Sequence, residues 1–464
     1  MTMEKLETAQ YHSHSDTKEP GHHDNNNAIP PSPYSSLPPP APPPASPYRA
    51  WAQVVVAHLG SFNSWGYMNS FGLFQSYYAT SLLPPTTAPS SISWIGSIQI
   101  FLAFGVGSVS GRALDAGHLR AVVLAGCCLQ ILAIMTASVS TEYYQLLLTQ
   151  GLCKGLGDGL VFCPTVANVP TYFPAARKGG KRAVAMGVAA SGTATGGIVF
   201  PLIAQRLMPS LGYGWTVRVM GFIVLFNAAV MLALVRPRKS VMAMFNGLFD
   251  WSAFRDEPAY ALFCAGMFCA WLALYFAFYY VTPFGKTFIG IDTSLSLTLL
   301  LIMNAIGAPS RVLFGVISDR LLGPLRALIL AVSCTGAVFY AWTAVRDLPA
   351  LVAFCCLYGF FAAACQGLFP ATCANLTADP KKMGARTGMA FAVVSVATLV
   401  GPPIGGALVQ ARQGGEYLYA QVFGGSVLVF GAALLVLSGW TNCLSRIPKP
   451  EISEVHKAAT AFPE

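Results

Sequence analysis

The chain has 464 residues, 54% of them hydrophobic and only 10% charged, against the roughly 25% charged residues of a soluble domain. That leaves too little polar surface for a free globular domain in water and makes lipid the expected solvent. The net charge of +9 is spread over short connections rather than gathered in one stripe, so the sequence excludes a nucleic-acid surface and leaves the bilayer as the extended partner.

Residues 1–48 are polar, with His12, His14, His22, His23, the run Asn25 to Asn27 and ten prolines from Pro30 to Pro47. They contain no apolar run, so a disordered Pro/His-rich tail without a cleaved signal peptide is expected. The histidines allow opportunistic metal binding, but a solvated tail is the simpler reading. No metal site and no cofactor are assigned.

From Trp51 the sequence turns apolar. A helical span takes about 20 apolar residues to cross ~30 Å of hydrocarbon. Twelve spans are expected at about 51–78, 92–111, 119–140, 143–168, 182–206, 214–235, 258–282, 293–314, 324–345, 348–371, 385–409 and 418–440. Several hold glycine and proline, which transmembrane helices tolerate. Most of the twelve cysteines fall inside these runs, as small core residues rather than a disulfide framework.

Basic residues orient the spans. With the N-terminus inside, Arg112, Arg120, Arg177, Lys178, Lys181, Arg182, Arg236, Arg238, Lys239, Arg320, Arg326, Lys381, Lys382 and Arg386 are cytoplasmic, and only Arg206, Lys286, Arg346 and Arg412 lie opposite. Fourteen against four satisfies the positive-inside rule and makes both termini cytoplasmic.

An internal repeat accompanies this bias. Gly111 precedes Asp115 as Gly315 precedes Asp319, 204 positions later. Pro164 to Asn168 is echoed by Pro370 to Asn375 with one residue inserted, and Gly187 and Pro201 return 201 positions later as Gly388 and Pro402. The expected fold is an all-α polytopic membrane protein of twelve transmembrane helices in two six-helix bundles with pseudo-two-fold symmetry. The bundles cover 49–239 and 258–440, a cytoplasmic linker covers 240–257, and a cytoplasmic tail covers 441–464.

With these marks in place, the chain resembles the major facilitator superfamily, and within it the monocarboxylate-transporter-like members of fungi. The resemblance covers roughly residues 50–440. It rests on Asn63 to Gly72, on Gln150-Gly151 with Gly155-Leu156-Gly157 and Pro164, and on Gly187 to Gly192 through Gly196-Gly197 and Pro201. The Asp115 and Asp319 loops resemble the superfamily's cytoplasmic gating motif. Three features of animal monocarboxylate transporters are missing: an acidic-Gly-Gly opening, a first-span lysine where Asn69 stands, and an Asp/Arg pair before Pro-Ser. Alignment on Pro309-Ser310 places Asn304 near the acid and Ala308 at the arginine, with Arg311 displaced by three.

Charge within a span is costly unless paired or hydrated, so it marks candidate sites. Lys154 and Asp158 share a helix face and pair either for coupling and binding or as a structural strut, with a snorkelling lysine as a further reading. Arg311 is placed to hold a carboxylate or enolate-like oxygen, or to anchor a gate against Asp319. Arg218 reads as a headgroup or inter-helix contact. The aromatic run Tyr275, Phe276, Phe278, Tyr279 and Tyr280 forms either an interfacial belt or a substrate wall, with Tyr279 taken as a lining candidate. Asn69, Gln150 and Asn304 are candidate polar lining residues. Asp115 with Arg112 and Arg120, and Asp319 with Arg320, are the candidate cytoplasmic gate, in which an aspartate accepts the N-terminal amides of a neighbouring helix.

The leading functional expectation is gradient-driven secondary transport of a small organic acid or amphipathic fungal metabolite, with export favoured and the plasma membrane as location. Proton-coupled monocarboxylate uptake and a non-transporting nutrient sensor are the alternatives. Protons are the candidate coupling ion. No span carries a nucleophile–base or paired-acid arrangement, so no enzyme is expected.

Overall fold

A computed structural model describes residues 46–87, 89–173, 181–237, 250–377, 379, 382–410 and 417–444. Most of the expected N-terminal tail, residues 240–249 of the linker and 445–464 of the C-terminal tail lie outside the described residues, as do Arg177, Lys178, Arg238, Lys239, Lys381 and Arg412.

The described residues form helices, the arrangement that satisfies backbone amides and carbonyls within one segment where hydrocarbon offers no partner. The first apolar stretch is not one helix. Helix α1 (Pro47–Ser61) runs into a π-helical turn at Phe62–Gly66, the chain turns at Asn69-Ser70, and α2 (Phe71–Tyr77) follows. Ten further helices are long and apolar enough to cross a membrane. They are α3 (Trp94–Asp115), α4 (Leu119–Ala137), α5 (Tyr143–Tyr172), α6 (Arg182–Leu234), α7 (Pro258–Ile289), α8 (Thr298–Leu322), α9 (Pro324–Ala344), α10 (Leu348–Leu376), α11 (Met383–Val409) and α12 (Leu418–Cys443).

Helix α6 spans 53 residues, ~80 Å if straight, far more than one bilayer crossing. Its backbone breaks at Gly212 (φ 73°, ψ 173°), inside the gap expected between spans 182–206 and 214–235. A positive φ there favours glycine, which has no Cβ to clash with the following carbonyl.

Aromatic side chains fill the interior on each side of the repeat. Phe74, Tyr78, Phe200 and Tyr213 are buried together in the first half. Phe276, Phe339, Trp342, Phe354 and Tyr358 are buried in the second. All twelve cysteines are free thiols.

Two crossings join the halves at backbone distance. Helices α3 and α11 meet where a Cβ on Gly111 would lie 2.3 Å from the Gly384 carbonyl oxygen, and one on Gly384 would lie 2.2 Å from that of Gly111. Helices α6 and α8 meet at Gly187, whose Cβ would stand 2.3 Å from the Arg311 carbonyl oxygen. Small residues are what permit such approach in membranes. Replacing Gly384 with valine is therefore expected to force the crossing apart at about 1–3 kcal/mol, lowering the thermal midpoint of the purified protein by several degrees. Gly72→Ala, where a Cβ meets nothing within 4 Å, is expected to leave the midpoint unchanged. Thermal-shift size-exclusion chromatography reads both; equal midpoints for the two variants would contradict the crossing.

Candidate functional site

The two repeated aspartates each close on a helix of the other repeat. Asp319, in the last turn of α8, accepts the Ala183 N–H at 3.0 Å on Oδ1 and the Val184 N–H at 2.8 Å on Oδ2. Asp115, at the end of α3, accepts the Gly384 N–H at 2.9 Å and the Ala385 N–H at 2.7 Å in the same manner. These donors belong to the first turns of α6 and α11, where N–H groups lack intrahelical partners and the helix dipole favours an anion. Such charge-assisted bonds are the strong ones. Arg120 and Arg320, expected beside the aspartates, are exposed.

An aromatic cavity is lined from both repeats by Trp65, Phe104 and Phe162 and by Trp271, Arg311 and Phe391. Stacking crosses between the repeats: Trp65 lies on Tyr275 with centroids 6.2 Å apart, and Phe104 lies on Phe391 at 5.4 Å. Arg311 is 4% exposed, and its Nη2 donates to Gln366 Oε1 at 2.6 Å. Its Nε and Nη1, together with the indole Nε1 atoms of Trp65 and Trp271, have no hydrogen-bond partner. No carboxylate pairs with Arg311 among the described residues; its acceptor is Gln366, so Asp319 is not its anchor. Gly307 makes room for the guanidinium, since a Cβ there would sit 2.9 Å from Nη1.

The lining therefore combines a buried guanidinium and two indoles with unsatisfied N–H groups among aromatic rings. Buried charge and unpaired donors are both costly.

The Lys154–Asp158 pair lies elsewhere, in the core of the first repeat, with both residues fully buried. Lys154 Nζ donates to Asp158 Oδ1 and to the Asn63 carbonyl at 3.1 Å, and stands 5.1 Å from the Tyr67 ring centroid. Gln99 and Gln130 donate to the two Asp158 oxygens at 3.0 and 2.8 Å. Helices α3, α4 and α5 and the turn after α1 therefore meet in one polar network.

The remaining candidates scatter. Asn69 and Asn304, singled out separately, are hydrogen-bonded to one another across the repeats at 3.2 Å. Gln150 accepts the Tyr78 hydroxyl at 2.6 Å within the first repeat. Tyr279 is 38% exposed and does not line the cavity, whereas Tyr275 of the same run does. Arg218 donates to Ser138 Oγ at 3.2 Å. The residues missed from sequence are Gln99, Gln130 and Gln366, single amides inside apolar runs. A second omission is the cluster in which Arg386 pairs with both oxygens of Glu257 at 2.6 and 2.8 Å and with Asp250 at 3.0 Å.

Residues 53–380 match the family model of the Major Facilitator Superfamily. An MFS-type transporter of Gibberella zeae is 40% identical over 395 residues, covering 84% of this chain and 86% of that protein. The aspyridones efflux protein apdF of Emericella nidulans is 35% identical, covering 83% of this chain and 77% of that protein. The fold resembles that of the human organic anion transporter MFSD10 (TETRAN), with a TM-score of 0.64 at 14% identity over 84% of this chain and 98% of that one. The chain belongs to the Major Facilitator Superfamily and is a multi-pass membrane transporter of that family, not an enzyme.

Proposed function

We propose that the chain exports an aromatic organic anion by alternating access, crossing the plasma membrane twelve times as two six-helix bundles with both termini cytoplasmic. The observation that carries the substrate reading is Arg311, buried in an aromatic cavity with two guanidinium nitrogens lacking acceptors and no acidic partner. The span count rests on ten long apolar helices, the break of α6 at Gly212 and the interrupted stretch Pro47–Tyr77. Export is supported by the relative named an efflux protein, and the cytoplasmic placement of the latches by the bias of basic residues. Membership of the monocarboxylate-transporter-like branch remains part of this proposal and rests on the motifs around Asn63 and Gly187.

In this mechanism the Asp115 and Asp319 latches hold the cytoplasmic end closed, and rocking of the bundles breaks four amide–carboxylate bonds. Hydrogen bonds to charged groups contribute about 1.5–3 kcal/mol each, enough to make closure a discrete state. The Asn69–Asn304 bond is a second contact that reports the relation of the two halves. The Lys154–Asp158 network is read as a strut of the first bundle, because its partners are all within that bundle and the pair does not line the cavity.

Deletion of the gene is expected to raise one aromatic acid inside the producing cell and to lower it in the medium. Comparative metabolite profiling checks this; slower growth on an external monocarboxylate with no retained metabolite would instead favour uptake. With the retained metabolite in hand, Arg311→Gln is expected to cut its transport in proteoliposomes by about 10- to 100-fold. Arg311→Lys should recover little, since a point charge does not reproduce the planar fork. A variant folded like wild type and transporting at the wild-type rate would remove Arg311 from the binding site.

Breaking the strut has a separate signature. Asp158→Asn leaves Lys154 buried without its counter-charge, at a cost of about 3–5 kcal/mol. The double variant Lys154→Gln with Asp158→Asn is expected to regain most of the lost thermal midpoint. Substrate-driven proton movement that survives in the double variant would exclude the pair from coupling.

A further inference from the structure

We propose that the cavity beside the Asp319 latch is a binding site for a phosphate-bearing anion, which ties the two repeats together while that latch is closed. The cavity is lined by Arg182 from the start of α6, by Ser318, Asp319 and Arg320 from the end of α8, by Gly323 at the start of α9, and by Asn375 from the end of α10.

Two of these groups are buried without satisfying their donors. Arg182 is 9% exposed; its Nη2 reaches the Pro170 carbonyl at 3.4 Å, and its Nε has no hydrogen-bond partner. Ser318 is 2% exposed, and its hydroxyl has no partner either. Both oxygens of Asp319 accept from the Ala183 and Val184 amides, so its charge acts on Arg182 through space while Arg182 Nε keeps no hydrogen-bond partner. Counting Arg182, Arg320 and Asp319, the walls carry a formal charge of +1.

A phosphate group suits the walls better than a single carboxylate. Its three oxygens can accept from Arg182, Ser318 and the amide of Asn375 at once, and its charge is favoured at the N-terminus of α9. The anion would bridge Arg182 of the first repeat to Ser318 of the second, so it binds the latched state more tightly than the open one and shifts the population toward it. Leu321, 77% exposed, stands at the rim, which makes a phospholipid headgroup the expected source; a free phosphate ion shares the chemistry.

The test uses the full-length protein in two settings: phosphatidylcholine nanodiscs with and without phosphatidic acid, and detergent with inorganic phosphate titrated against equal ionic strength of chloride. Wild type is expected to show a saturable rise of about 2 °C or more in thermal midpoint. The rise should be lost in Arg182→Gln and in Ser318→Ala, and retained in Arg218→Gln, which lies outside the cavity. A rise with lipid alone assigns the headgroup, and a rise with inorganic phosphate assigns a soluble ligand; both support the site. A rise that persists in Ser318→Ala and Arg182→Gln, or that chloride reproduces, overturns it. Should Arg182→Gln fail to fold, Ser318→Ala combined with Asn375→Ala decides the same question.

Discussion

In hydrocarbon, each polar group has to find its partner inside the protein, and the organisation of this chain follows from that constraint. Backbone groups meet it through helices. Side chains meet it through networks such as the one around Lys154 and Asp158, where amides from α3 and α4 occupy the carboxylate and a backbone carbonyl receives the ammonium. A buried donor without an acceptor is costly in such surroundings. Among the described residues such donors include Ser70, Gln150, Trp342 and Thr372 singly, and two groups: Arg311 with Trp65 and Trp271, and Arg182 with Ser318. Each set lines a cavity to which both repeats contribute.

The same constraint supplies the means for the proposed switching. The latches use the one class of backbone donor that a helix leaves free, its first-turn amides, and offer each pair a carboxylate from the opposite repeat. Glycines at the α3–α11 and α6–α8 crossings bring the helices close enough for those bonds to form. The bonds are few and directional, so in the proposed mechanism the closed arrangement is lost in one step rather than by gradual stretching. A ligand shifts such an equilibrium only through its differential affinity for the two states. An anion at Arg311 can do so because residues of both repeats surround it.

Much of this was legible in the residues. Hydropathy pointed to the ten long apolar helices, and the break at Gly212 falls where a loop was expected. The repeated Gly-to-Asp spacing pointed to aspartates accepting amides of a neighbouring helix, which is the geometry found. Arg311 stood out as a charge inside an apolar run and lines the aromatic cavity. What pattern alone left unresolved is which side of a helix faces which neighbour. Tyr275 and Tyr279 are one turn apart, yet only the first lines the cavity. Gln99, Gln130 and Gln366 gave no signal beyond being amides among apolar residues, because their partners are far away in sequence. Lys154 and Asp158 share a helix face as their spacing implies, but that face is turned toward the first bundle's own core.

The claim on which the account rests is that carboxylates at positions 115 and 319 hold the two repeats together at one end. Spin-label side chains at His118 and Arg326, exposed positions of opposite repeats, would follow that end by double electron–electron resonance in proteoliposomes. For the otherwise native protein the account predicts a dominant short distance. When Asp115 and Asp319 are both replaced with alanine, it predicts a second, longer population. A distance distribution unchanged by the double replacement, in protein that remains folded, would contradict it.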